Sequence, residues 1–350
     1  MKVLITGNMG YVGPVVVKHL RAVHGSRIEI SGVDAGFFAN CLLSPWSPTP
    51  ETGLDVQYYR DVRAVPHSLL VGVDAVVHLA AISNDPMGRR YESATEDINF
   101  KASVALAHLA AKAGAKSFVF ASSCSVYGQA SDNKARTEAD SVNPLTAYAR
   151  SKIATEDALR QADFGGMRVR CLRFATACGL SPRVRLDLVL NDFVAGAVAN
   201  REISILSDGT PWRPLIDVAD MARAIEWAIE ADAYESPFLA VNVGSDEWNF
   251  QVSDIANAVA EIAPGTRVRI SDSGQPDPRS YRVDFSLWSR LAPRHQPAGT
   301  LQESAKRLHE GLLEAGFQDA QFRESRLIRL KVLDNLRELG HLDPTLHWTQ

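Results

Sequence analysis

Short apolar runs alternate with longer amphipathic stretches through the first half of the chain. Val3-Leu4-Ile5 reads as a buried strand over 2–6, and similar runs predict strands over 28–34, 56–59, 74–79, 117–122 and 167–174. Val12, Val15, Val16 and Leu20 fall on one face of a helix over 11–23. Further helices are expected over 97–113 and 146–161, the second with Pro144 at its entry. Alternation of this kind predicts an α/β fold built on a doubly wound parallel (Rossmann) sheet. The pattern changes after Ala175. Helices are expected over 185–199, 218–231 and 252–263, strands over 202–206 and 267–271, and a strand over 240–244 that returns to the main sheet. Residues 38–52, with Pro45, Pro48 and Pro50, read as a loop. Near the end, Leu327, Ile328, Leu330, Leu333, Leu336 and Leu339 recur at helical spacing over 325–339. Such a helix most simply covers the core; an oligomer contact is the other reading.

Composition narrows the setting more than the activity. At 350 residues the chain can hold a large core in one or two domains. A net charge of −4 gives no general pull toward nucleic acid or membrane, and neither is expected as a partner. Cys41, Cys124, Cys171 and Cys178 show no paired metal spacing, and the nine histidines show none either, so no metal is expected. Reduced thiols, the lack of an 18-residue apolar run and a strand at the very start predict a cytoplasmic protein without signal peptide or membrane span.

The first candidate site is a nucleotide cradle. Gly7-x-x-Gly10-x-x-Gly13 lies between the first strand and the first helix. Glycines there permit a tight turn and close backbone approach to a pyrophosphate, and the helix N-terminus adds free N–H groups. The second strand ends at Asp34, near the expected offset of ~20 residues or somewhat more. A carboxylate at that place hydrogen-bonds ribose hydroxyls and repels a 2′-phosphate. Ala35, Gly36, Phe37 and Phe38 follow it, with no Arg or Lys, so NAD is favoured over NADP.

The second candidate site is chemical. Tyr148 and Lys152 sit four apart on one helix face. A free tyrosine has a pKa of about 10 and is a poor base at neutral pH. A nearby ammonium and the positive ring of an oxidised nicotinamide both favour its phenolate. The Ser123 hydroxyl can bind the same substrate oxygen, and Lys152 can also hold the nicotinamide ribose.

In this order and spacing the motifs resemble those of the extended short-chain dehydrogenases/reductases, in particular the NAD-dependent nucleotide-sugar epimerases and dehydratases. The resemblance runs from Met1 to about Gly316. It rests on Thr6-Gly7-x-x-Gly10-x-x-Gly13, Gly32-Val33-Asp34, Asp61-Val62, His78-Leu79-Ala80-Ala81, Asn99, Ser122 to Gly128, Tyr148-x-x-x-Lys152, Leu172-Arg173-Phe174 and Arg213-Pro-Leu-Ile-Asp-Val. It implies an NAD-binding Rossmann domain over 1–175, rejoined by a strand near 239–244. A smaller C-terminal substrate-binding lobe would span 176–316, with a helical extension over 317–350. Catalysis would fall to Ser123, Tyr148 and Lys152. Gly7, Met9, Gly10, Tyr11, Val12, Gly13 and Asp34 would hold the dinucleotide, with Asp61 and Val62 bracketing its adenine. Leu79, Ala80 and Ala81 would line it. Asn99 would support the active-site helix, and Phe174 would lie near the nicotinamide. Ser125, Thr176 and Arg213 would meet the substrate, as would Arg279 or Arg282. Partners would be a nucleotide-diphosphosugar and a second copy of the chain.

Departures from the family pattern bear on the reaction. An asparagine usually stands three residues beyond the Leu-Arg arginine; here it is Thr176, and Asn191 is the candidate to replace its contact. Members that dehydrate carry Asp-Glu after the catalytic Ser/Thr, where this chain has Cys124 and Ser125. Cys124 is therefore an alternative base for epimerisation beside a carbonyl, against a role in packing only. The leading expectation is an NAD-dependent epimerase that oxidises a sugar carbon transiently, with Tyr148 as base. Alternatives are a keto-sugar reductase, another nucleotide-sugar dehydrogenase or decarboxylase, and a non-catalytic NAD-sensing protein.

Overall fold

Side-chain alternation along the strands gives the central sheet two buried faces. In the computed structural model, which describes residues 1–44, 48–129, 134–230, 236–270 and 280–349, seven strands form this sheet. They are β1 (Lys2–Thr6), β2 (Glu29–Asp34), β3 (Val56–Tyr59), β4 (Ala75–His78), β5 (Ser117–Ser123), β6 (Arg168–Phe174) and β7 (Phe238–Val243). Their spatial order is β7-β6-β5-β4-β1-β2-β3, and every pairing is parallel. Val3 and Ile5 face a layer made by helices Gly13–His24 and Val218–Glu230, through Val16, Leu20 and Ile225. Leu4, between them, faces the opposite layer, with Leu106 and Ala110 of helix Ala102–Lys112 and Leu159 of helix Ala147–Gln161. The chain reverses its direction of winding between β1 and β4, which opens a crevice at their C-terminal ends.

A second core lies beyond that crevice. Helices Val189–Asn200, Val252–Ile262 and Leu301–Glu314 pack through Leu190, Val194, Ile255, Val259, Leu308 and Leu312. A small sheet, Asn249–Gln251, Trp212–Asp217 and Thr176–Cys178, connects them to the end of β6.

Three expectations shift in detail. The helix expected over 97–113 is preceded by Asp85–Arg90, capped by the Asn84 side chain on the Met87 N–H (2.8 Å), and by a widened π-helical turn over Glu96–Lys101. The helix expected over 185–199 begins only at Val189, because ion pairs fix Arg183 and Arg185 in the preceding loop. The last helix spans Arg329–Glu338 and buries Leu333 against Ile82, Met87 and Ile98, which favours the core-covering reading. After it the chain returns to the β2 end of the sheet. Arg63 donates to the carbonyls of Thr345 (2.7 Å) and Leu346 (2.8 Å), and the Trp348 indole donates to Ala35 O (2.7 Å). Among the described residues no helix is long and apolar enough to cross a membrane, and no group of three or more His, Cys, Asp or Glu is placed to hold a metal ion.

Candidate active site

The crevice at the strand ends opens into a cavity of about 860 Å³. Its floor begins with the glycine turn. Gly7 has φ +74°, and a Cβ there would stand 2.5 Å from the Ala80 nitrogen. A Cβ on Gly13 would stand 2.3 Å from the Asn8 carbonyl oxygen. Both positions are thus closed to side chains. Gly7, Gly10, Tyr11 and Val12 line the cavity, as do Asp34, Asp61, Val62, Leu79, Ala80, Ala81 and Phe174. Asp34 accepts from the backbone N–H groups of Met9 (3.0 Å) and Gly36 (2.7 Å). Burial nevertheless pushes its carboxyl above the usual range, against those two donors. Met9, Gly13 and Asn99 are not in the cavity wall. Met9 acts by aiming Asp34, and Gly13 by letting the turn close. Asn99 clasps the Ile82 backbone, accepting from its N–H (2.8 Å) and donating to its carbonyl (3.0 Å), and also reaches Ser151 in the Tyr148 helix (3.1 Å).

Helix Ala147–Gln161 begins at Thr146, whose hydroxyl caps the Ala149 N–H (3.1 Å). It brings Tyr148 and Lys152 beside Ser123 and Ser125 at the end of β5, and all four line the cavity. The Ser123 hydroxyl lies near enough to Tyr148 to favour its phenolate. The Lys152 ammonium donates to Ala121 O (2.7 Å) and stands 5.5 Å from the centre of the Tyr148 ring. The Ser125 hydroxyl is buried and has no hydrogen-bond partner among the described residues, which leaves it available to a ligand.

The free protein departs from one electrostatic expectation. Burial, not Lys152, dominates Tyr148, and its phenol is pushed up to about 12 although Ser123 and Arg185 act the other way. Lys152 is itself driven down to about 7 by burial, with Glu156 opposing. A further positive charge beside Tyr148 would favour its phenolate. His78 is held neutral by burial, at about 3, between the hydroxyls of Thr6 (2.6 Å) and Ser103 (2.7 Å), and belongs to the scaffold.

Other expected contacts are corrected. Cys124 is fully buried, donates its thiol to Arg173 O (3.0 Å), and burial pushes that thiol up; it is packing, not a base. The Asn191 amide does not line the cavity. It accepts from Gly179 N (2.9 Å) and donates to Arg185 O (2.9 Å) and Tyr11 Oη (3.2 Å), so it props the 179–185 loop. Arg282 lies over the Trp212 ring at 4.9 Å, outside the cavity wall, while Arg279 falls outside the described residues. Thr176 and Arg213 do line the cavity. So do Ser83, Asn84, Arg185, Asp187, Arg323 and Arg329, which no local pattern announced.

The model of the NAD dependent epimerase/dehydratase family matches residues 3–244. The chain belongs to this family. Similar curated proteins include a UDP-glucose epimerase of Bacillus subtilis described as uncharacterized, 25% identical over 315 residues, with 87% of this chain and 95% of that protein covered. UDP-glucuronic acid decarboxylase 6 of Arabidopsis thaliana is 27% identical over 302 residues, covering 82% of this chain and 81% of that protein. Among solved structures, MoeE5 in complex with UDP-glucuronic acid and NAD superposes with a TM-score of 0.76 at 24% identity, over 91% of this chain and 100% of that one. UDP-glucuronic acid 4-epimerase from Bacillus cereus gives 0.75 at 21% identity, over 90% and 99%. As in this epimerase/dehydratase family generally, the cofactor is NAD, and the cavity fits it: Gly7, Gly10 and the Asp34 carboxylate line it.

Proposed function

We propose that the protein is an NAD-dependent epimerase of a nucleotide-diphosphosugar. One observation carries the reading: Ser123, Tyr148 and Lys152 meet at the cavity, while the two positions that would supply a dehydratase's acid and base hold a buried thiol and a serine hydroxyl. NAD, when bound, would supply the two-electron acceptor for a sugar carbinol and the donor of the same pair back. Its positive ring is the further charge that Tyr148 needs to release its proton. Tyr148 takes the carbinol proton, Ser123 holds the same oxygen, and Lys152 steadies the phenolate. Arg213 faces the substrate's diphosphate and Thr176 the sugar. The Ser125 hydroxyl, otherwise without a partner, serves the sugar as well.

A second reading is decarboxylation of a sugar acid. It is favoured by the relatives that act on UDP-glucuronic acid and by Arg185, whose charge reaches the Tyr148 oxygen. Incubation with UDP-glucose, UDP-N-acetylglucosamine and UDP-glucuronic acid in heavy water separates the readings. An epimer of unchanged mass and no deuterium is expected. Loss of carbon dioxide selects the decarboxylase, and loss of water sinks both. Tyr148→Phe should lower turnover about 10²–10⁴-fold while NAD binding stays nearly intact. Retention of more than half the activity would remove Tyr148 from the mechanism.

A further inference from the structure

Arg329 opens the C-terminal helix, far beyond the span matched by the family. It is 1% exposed, yet it lines the cavity. Two features fix its guanidinium. Nη2 donates to Arg183 O (2.7 Å), and Cζ lies 5.1 Å from the centre of the Phe38 ring. Nη1 has no hydrogen-bond partner among the described residues. The charges around it do not balance. Arg183 pairs with Glu51 (2.6 Å) and Arg185 with Asp187 (2.6 Å), but no carboxylate pairs with Arg329 among the described residues. Burial works against its charge, and so do Arg185 and Arg183; Cys41 and Asp187 act the other way without making up the difference. A buried guanidinium cannot shed its proton, so it calls for an anion.

Position tells which anion. Arg183, whose carbonyl holds Arg329, also donates to Ala39 O (3.2 and 3.3 Å) in the loop that follows Asp34. Ser181, just before it, donates to Tyr11 O (2.7 Å) in the glycine turn, and Arg185, just after it, donates to Ser83 Oγ (3.0 Å) beyond β4. Arg329 therefore hangs from a segment tied at one end to the loop after the ribose carboxylate and at the other to the glycine turn and the end of β4. In a dinucleotide stretched between those points, the middle group is the diphosphate. Gly10, Tyr11 and Val12 of the turn line the same cavity as Arg329.

We propose that Arg329 is a cofactor-binding residue, donating from its free edge to the NAD diphosphate, so that the C-terminal extension completes the dinucleotide site. This rests on the family's NAD site and not on which sugar reaction the protein performs. The test uses the full chain stripped of nucleotide, titrated calorimetrically with ADP-ribose, adenosine and UDP. Arg329→Gln should weaken ADP-ribose roughly ten- to a hundredfold, the effect of one charge-assisted hydrogen bond, and leave adenosine and UDP within about twofold. Arg329→Lys keeps the charge but not the planar fork, and should fall between the two. It also decides the matter if the Gln variant does not fold. ADP-ribose affinity within about twofold of the native protein in the folded variants would overturn the proposal. So would an equal loss for UDP, which would assign Arg329 to the substrate.

Discussion

Beneath the catalytic helix and across the cleft from it, the protein buries excess positive charge on different terms. Below the helix, Glu156 accepts from Arg173 through Nε (3.1 Å to each oxygen) and Nη2 (2.7 Å), and from the Ser122 hydroxyl. Arg173 Nη1 donates to Tyr127 Oη (3.0 Å), which donates to Asn242 Oδ1 (2.7 Å). One carboxylate thus serves two cations, Arg173 and, four residues back, Lys152. Across the cleft, Glu51 and Asp187 serve Arg183, Arg185 and Arg329. Counted by direct ion pairs among the described residues, each region leaves one cation without a carboxylate of its own. Below the helix the extra one is a lysine, which can release its proton. In the wall it is an arginine, which cannot. A neutral lysine leaves a finished scaffold; a fixed guanidinium leaves a place for a ligand.

The largest test of this contrast is Glu156→Gln. It strands Arg173 without its counter-charge, and breaking a buried pair from one side costs about 3–5 kcal/mol. Urea unfolding of the nucleotide-free protein should show that loss. Arg329→Gln, which removes an unmatched charge, should shift the same curve by under about 1 kcal/mol. Equal losses would mean that the wall is as tightly paired as the scaffold, and the contrast would fail.

The two regions were also unequally legible. The scaffold side announces itself locally: Gly7 to Gly13, Asp34 at a strand end, Tyr148 and Lys152 one helical turn apart. Backbone geometry enforces those spacings, so they survive reading in one dimension. Even there, the partner of Glu156 lies on a neighbouring strand and is invisible without the fold. The wall joins residues 38–41, 51, 183–187 and 329, which share no period. The run from Arg185 misled because its apolar residues continue into the helix that starts at Val189, while the two flanking ion pairs hold the start of that run in a loop. Asn191 misled for a different reason: it offers a replacement for the asparagine contact missing at Thr176, but its amide satisfies the loop itself.

A smaller effect is expected at the adenosine end. Asp34→Ala removes the acceptor for the ribose hydroxyls, where a hydrogen bond to a charged group contributes about 1.5–3 kcal/mol. NAD should bind better than NADP to the native protein, and the variant should narrow that gap. Arg183, although near Asp34, is held by Glu51 through two nitrogens (2.6 and 3.1 Å) and is not free to welcome a 2′-phosphate. Adenosine sharpens the comparison further, because Asp34→Ala should weaken it and Arg329→Gln should not. Equal binding of NAD and NADP by the native protein would sink this assignment.

The smallest effect concerns Lys152 and pH. Its ordinary pKa is 10.5, and burial lowers it to about 7 in the folded, nucleotide-free chain. Between those values the unfolded chain keeps a proton that the folded chain has released. The Lys152 contribution to stability therefore rises with pH across that window, by at most about 1.4 kcal/mol per pH unit. Below pH 7 both states are protonated and the contribution is flat. Urea midpoints at pH 7.5 and 8.5 should thus separate more in the native protein than in Lys152→Met. Identical slopes would mean that Lys152 keeps its charge, and that the scaffold does not relieve itself as argued. ADP carries a diphosphate but no second ribose. It should stabilise the native protein similarly at both pH values, because the diphosphate meets Arg329 in the wall and leaves Lys152 as it was. A pH-dependent gain from ADP would place the lysine within reach of the diphosphate and erase the division between the two regions.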